Sequence, residues 1–294
     1  MGATFIFCAD PIRPQRTDGH FADEACAARD LVHPVALIDH EALTAGDATA
    51  AVARVPKGSG AAWYRGWMLT AEQYGVLSDA LTARGVTPAT SPEDYRRAHE
   101  LPGWYGVFEP VTPRSVWLPT TPGTPPAASD LAAAASALGG GPAVVKDYVK
   151  SRKHEWHEAC FVPDLADTRR LASVVARFLE LQGDALVGGV VIRAFERFRP
   201  GVGEARVWWV DGSPVLVTAH PDSPGLRPEP DPAFVRPLVA ALGCRFVTTD
   251  LALREDGEWR VVEVGDGQVS DLPKGAAARQ LLRRLAAAGT PPTV

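Results

Sequence analysis

Val261-Val262-Glu263-Val264-Gly265-Asp266-Gly267-Gln268 reads as the end of a strand that runs directly into a turn. Upstream, Phe246–Leu253 is a second apolar run, and Asp256-Gly257 supplies the residues that a hairpin turn requires. Paired as a hairpin, the two runs bring Asp250 and Glu263 together on one face, and Asp266 can reach the same point from the following loop. Three converging carboxylates repel one another unless cations lie among them. Hard oxygen ligands of this kind suit magnesium shared with nucleotide phosphates. Asp266, placed before a glycine, is equally a turn former.

Working outward, Gly203 to Val210 forms another hairpin arm, with Asp211-Gly212 as its turn. Alternation puts Glu204 and Arg206 on one face and Ala205, Val207 and Trp209 on the other. Read alone, Glu204 and Arg206 make a surface ion pair worth well under ~1 kcal/mol. The third charged feature is Val144-Val145-Lys146-Asp147-Tyr148-Val149-Lys150-Ser151-Arg152-Lys153. The chain has 25 Arg but only five Lys, and three of those five fall in this stretch. On a strand over 143–149, Lys146 and Lys150 project from the same face. A compact ammonium suits a phosphate oxygen; an edge strand guarded by lysines accounts for the pattern equally well.

The first hundred residues alternate strand and helix. Thr4–Cys8, Val35–Ile38 and a run ending at Trp63-Tyr64 are extended, with a helix expected over 21–31. Thr70 opens a helix with a capping box completed by Gln73, and Tyr74, Leu77 and Leu81 share one face. This alternation argues for an α/β fold with a small parallel sheet flanked by helices. Farther on, another helix starts at Ser91-Pro92, 107–117 reads as extended and 119–128 as a connection. A helix over 129–138, a polar loop over 151–158, a helix over 167–182 and a strand over 189–195 follow. Asp231-Pro232 opens one more helix, a terminal helix is expected over 274–288, and the tail 289–294 reads as loosely ordered.

Composition narrows the function. A net charge of −5 gives no global pull toward nucleic acid or anionic membrane. The N-terminus shows no signal-peptide pattern, and no apolar run reaches the roughly 18 residues of a membrane span. Cys8, Cys26, Cys160 and Cys244 are scattered and read as reduced thiols of a cytoplasmic protein. Gly139-Gly140-Gly141 precedes its strand, so it is not a phosphate loop. His154-Glu155-Trp156-His157-Glu158 lacks the spacing of a zinc-protease helix, and no nucleophile elbow occurs.

In their order, the three charged features resemble those of ATP-grasp proteins. More narrowly, Val-Val-Lys-Asp-Tyr-Val-Lys-Ser-Arg-Lys and Val-Glu-Val-Gly-Asp-Gly-Gln-Val-Ser resemble the ATP-grasp clade named for an arginine and two lysines. The resemblance implies a Rossmann-like pre-ATP-grasp domain over 1–90, a small lid subdomain over 91–195 and a larger C-terminal subdomain with the metal site over 196–294. It implies that Lys146 meets the nucleotide phosphates, with Lys150 and Lys153 as further candidates. The backbone of Arg193-Ala194-Phe195-Glu196 would read adenine, Glu204 would hold the ribose, and Arg206 would stand near the transferred phosphate. Asp250, Glu263 and Asp266 would hold magnesium, two ions being expected. Arg65, Arg152, Gln268 and Ser270 are candidate substrate contacts. Gly265 stands where the family has Asn, Arg193 where it has an acid, and the glycine-rich lid loop is replaced by Ser151-Arg152-Lys153-His154.

The activity so implied is an ATP-dependent carboxylate–amine ligase working through an acyl phosphate, on small-molecule or peptide substrates. A small-molecule kinase of the same fold and a non-catalytic ATP-binding module are the alternatives. No nucleic-acid or membrane partner is expected, and a homodimer is compatible with the sequence.

Overall fold

In a computed structural model, residues 3–223, 225–274 and 277–289 are described. Of the tail expected over 289–294, all but Gly289 lies outside the described residues. The chain divides into two units, one made of residues 1–99, 200–252 and 263–294, the other of 100–199 and 253–262. The described residues form an α/β fold with three four-stranded sheets.

The first sheet comprises Thr4–Cys8 (β1), Val35–Ile38 (β2), Gly60–Arg65 (β3) and Val86–Pro88 (β4), in the order β2-β1-β3-β4. Every pairing in it is parallel. β1 is buried at all five positions, as expected of a strand covered on both faces. The helix Ala71–Thr82 opens with the capping box between Thr70 and Gln73 and buries Tyr74, Leu77 and Leu81. The helix expected over 21–31 starts with a 3₁₀ turn at Gly19–Phe21 and continues as Ala22–Asp30. The short helices His40–Thr44 and Ala48–Ala51, capped by Asp39 and Asp47, lack the length for a periodic signal and escaped the sequence reading.

The second sheet comprises Ser115–Pro119 (β5), Ala143–Lys146 (β6), Phe161–Val162 (β7) and Gly189–Ala194 (β8), in the order β5-β8-β6-β7, all antiparallel. The helices Ala128–Leu138 and Thr168–Gln182 supply its core, through Leu131, Leu138, Leu171, Val175 and Phe178. Three expectations change here. The segment 107–117 is not extended throughout, because the helix Leu101–Phe108 buries Trp104, Tyr105 and Phe108. The polar loop over 151–158 is mostly wound into a 3₁₀ turn at Lys153–Glu155 and a π turn at Trp156–Cys160. The strand expected over 143–149 stops at Lys146.

The third sheet comprises Glu204–Val210 (β9), Ser213–Ala219 (β10), Phe246–Leu253 (β11) and Trp259–Asp266 (β12), in the order β10-β9-β11-β12. Asp211 and Gly212, both at positive φ, make the turn between β9 and β10 as expected. The terminal helix runs Ala278–Ala288, shorter than expected, and buries Leu281, Leu282 and Leu285. No helix among the described residues is long and apolar enough to cross a membrane.

Candidate active site

In the first unit the charged residues gather around Arg206. Strand register sets Asp250 of β11 directly across from Arg206 of β9. Arg206 Nε donates to Asp250 Oδ1 and Nη2 to Oδ2, both at 2.9 Å, a two-pronged pair almost sealed from solvent. The remaining Nη1 donates to the backbone carbonyl of Asp271 at 3.1 Å. His220 Nε2 lies 3.5 Å from Asp250 Oδ2. Burial by itself would lower the pKa of Arg206. The charge and hydrogen bonds of Asp250 outweigh burial, with Glu263 and Asp271 adding to them, and raise it above its usual value. One guanidinium thus stands in the field of three carboxylates. Arg206 is thus half of a buried cross-strand pair and not of a surface ion pair.

Asp266 does not complete a set of three metal ligands. Alternation along β12 turns it to the face opposite Glu263, and it is fully buried. Its Oδ1 accepts from the backbone N–H and Nε2 of Gln268, at 2.9 and 3.1 Å. Its Oδ2 is buried without a hydrogen-bond partner. Burial pushes the Asp266 carboxyl up to about 7, against the opposing effect of the Gln268 hydrogen bonds and the Arg65 charge. Among the described residues, no group of three or more His, Cys, Asp or Glu side chains is placed to hold a metal ion. Gly265 also has a local reason. A Cβ there would lie 3.1 Å from Thr248 Oγ1 and 3.3 Å from Ser270 Oγ, and those two hydroxyls are bonded to each other at 2.7 Å.

Two expected substrate contacts are occupied by the fold. Arg65 is fully buried and grips Glu24 with Nε and Nη2, both at 2.7 Å. Its Nη1 donates to the carbonyls of Gly267, Gln268 and Ser270. Gln268, also fully buried, exchanges hydrogen bonds with the Tyr74 hydroxyl. Ser270 remains partly exposed, its hydroxyl on Thr248 and the Asp266 carbonyl.

In the second unit Lys146 is the last residue of β6 and is largely buried. It lies near enough to Cys160 for its charge to act on the thiol, which burial pushes up to about 11 and Lys146 pulls down. The next residue ends the strand. Asp147, fully buried, accepts from the backbone N–H groups of Val149 and Lys150 and from Gln182 Nε2 at 2.7 Å. That carboxylate competes with the sheet ladder for the backbone and folds 147–150 into a turn. Lys150 therefore ends the turn, exposed, rather than lying beside Lys146 on one strand face. Lys153 opens the 3₁₀ turn, and Arg152 Nη2 reaches Glu155 at 3.4 Å.

The segment expected to read adenine is tied down by its side chains. Arg193 donates to Thr112 Oγ1 at 2.6 Å and lies over the Trp104 ring. Glu196 receives Arg260 Nε and Nη2, both at 3.0 Å. The Ala194 and Phe195 N–H groups donate to the carbonyls of Arg114 and Pro142. Phe195 joins Trp156 and Phe161 in an aromatic trio, in which the latter two stack. The sequence reading missed Asp147, His220, His20 and Asp271. For Asp147 the signal was present, an Asp followed by two N–H groups it can cap; for the others the partner is remote.

A family model for the ATP-grasp domain, family 3 of the clade named for an arginine and two lysines, matches residues 137–285, just over half of the chain. Among solved structures, D-cycloserine synthetase DcsG superimposes with a TM-score of 0.65 at 15% identity, covering 97% of this chain and 99% of that one. The ATP-grasp ligase PsnB, complexed with minimal precursor, Mg and ADP, gives 0.57 at 14% identity, with 97% of each chain covered. D-alanyl-alanine synthetase A from Vibrio cholerae gives 0.57 at 11% identity, with 98% of each covered. No curated protein matches the sequence.

Proposed function

The chain belongs to family 3 of the arginine-and-two-lysines clade of ATP-grasp domains, and from that premise we propose that it is an ATP-dependent carboxylate–amine ligase. ATP supplies the phosphoryl group that turns a carboxylate into an acyl phosphate, and magnesium offsets the triphosphate charge. The residues present fit that ion with two carboxylates rather than three. Magnesium bound through phosphates needs only one or two protein carboxylates, and Asp250 and Glu263 both act on Arg206. Each Asp250 oxygen, though taken by Arg206, keeps a second lone pair.

The observation that carries the reading is the Arg206 guanidinium, fixed in direction by Asp250 and the Asp271 carbonyl. Held this way, it is preorganised to meet negative charge that develops on a transferring phosphoryl group or a tetrahedral intermediate. Lys146 is assigned to the nucleotide phosphates, with Lys150 and Lys153 as exposed cations able to follow. Glu204 is assigned to the ribose, and the backbone of 193–196 to adenine. Arg152 and Ser270 remain candidates for substrate contact. The substrates are a small-molecule or peptide carboxylate and an amine, and no protein nucleophile is needed.

Calorimetry of ATP binding, with and without magnesium, tests this on the wild type, Lys146→Ala and Glu263→Gln. The expected result is magnesium-dependent binding, weakened in both variants, with ADP release when carboxylate and amine are supplied together. Full ATP-dependent turnover by Glu263→Gln would sink the assignment.

A further inference from the structure

Ligation needs a group that none of the assignments above provides. The attacking amine is an ammonium at neutral pH and must lose a proton before its nitrogen can form a bond. In the first unit, His20 Nε2 lies 2.7 Å from Asp271 Oδ1, and Asp271 is the residue whose carbonyl receives Arg206 Nη1. An ionised carboxylate only accepts hydrogen bonds, so Asp271 fixes the imidazole proton on Nε2 and leaves the lone pair on Nδ1. A histidine with its tautomer set by a carboxylate is the arrangement of a general base.

The surroundings of His20 suit a cation. Its ring rests on Trp67 at 4.7 Å and on Phe21 at 4.8 Å, and its backbone N–H donates to Asp18 Oδ1. Asp18 Oδ2 in turn receives Trp67 Nε1 at 3.1 Å. Asp18 and Trp67 also line a recess of about 120 Å³, whose other titratable groups are Asp10, Asp39, Glu41 and His40. The recess stands where β1 and β2 end, the usual place for ligands on a parallel sheet. Asp271, whose carboxylate holds His20, also receives Arg206 through its backbone carbonyl, and Asp18 is the other charged side chain bonded to the His20 segment.

We propose that His20, oriented by Asp271, takes the proton from a substrate ammonium that enters through this acidic recess; the proposal rests on the ligase reading. The ammonium gives one proton to Nδ1. The freed nitrogen lone pair attacks the acyl carbon, the C–N bond forms, and the C–O bond to phosphate breaks with its electron pair. The second N–H proton leaves with phosphate as hydrogen phosphate. With its side chain 33% exposed, His20 returns the first proton to solvent.

The test compares two nucleophiles. Wild type, His20→Gln, His20→Ala and Asp271→Asn are given ATP, magnesium and a mixture of L- and D-amino acids as carboxylates and amines. Parallel reactions contain hydroxylamine, which is already neutral at pH 7. Amide and hydroxamate are read by mass spectrometry. Amide formation by the His20 variants falls at least about tenfold further than hydroxamate formation. The gap narrows as pH rises from 6.5 to 9, and added imidazole restores part of the amide yield of His20→Ala. Equal loss of both products, unmoved by pH or imidazole, overturns the proposal and leaves His20 a structural residue. Absence of ADP release and of both products in the wild type removes the ligase reading, and the proposal falls with it.

Discussion

Arg206 and Asp250 face each other across β9 and β11 and join through two hydrogen bonds of 2.9 Å each. The register of the two strands, not the sequence spacing within either, makes this pair. An exposed acid–base pair contributes little, whereas a buried one such as this cannot lose a single partner cheaply.

Asp250→Ala leaves a buried guanidinium with the Asp271 carbonyl and the fields of Glu263 and Asp271, and without its two-pronged partner. The expected loss of stability is about 3 kcal/mol or more, read from urea denaturation. Arg206→Lys keeps the charge but loses the fork, so it costs less in stability than Asp250→Ala and still lowers ligase turnover. A wild-type denaturation midpoint for Asp250→Ala would contradict the buried-pair account.

Arg65 is expected to matter to folding and not to substrate. Arg65→Met strands the Glu24 carboxylate in the core, at a cost of about 3–5 kcal/mol. The double variant Glu24→Gln/Arg65→Met recovers a large part of that loss. A single variant that keeps wild-type stability and loses only substrate affinity would restore the original expectation.

Asp266 makes stability depend on pH near neutrality. Its folded pKa of about 7 stands above the ordinary value of 3.8, so the folded protein keeps a proton that the unfolded chain gives up. The stability this supplies is full below the unfolded value and is lost as pH rises through about 7. Between the two values it declines at up to about 1.4 kcal/mol per pH unit. Denaturation between pH 5 and 7.5 is expected to show the decline in the wild type and a flatter profile in Asp266→Asn. Identical slopes would assign the pH dependence to another group.

Local patterns were legible in the sequence where their cause is local. The Thr70–Gln73 capping box, the Asp211-Gly212 turn and the apolar face of Thr168–Gln182 each depend on residues a few positions apart. The order of the charged motifs was likewise enough to identify the family. Placement by face or by packing was not legible. Asp266 sits within the same motif as Glu263, yet strand alternation sends it into the core. Lys146 and Lys150 share a parity that matters only if the strand continues, and the buried Asp147 carboxylate ends it.

By itself, then, the sequence determined the α/β class, the strand and helix patterns and the set of groups from which a nucleotide site is built, because those follow from short-range periodicity and residue chemistry. The tertiary structure decided which of these groups remain available. It committed Arg65 to Glu24, gave Arg206 to Asp250 and brought His20 to Asp271 across 251 residues of sequence. Such pairings depend on burial and sheet register, which are properties of the packed chain and have no counterpart in residue spacing.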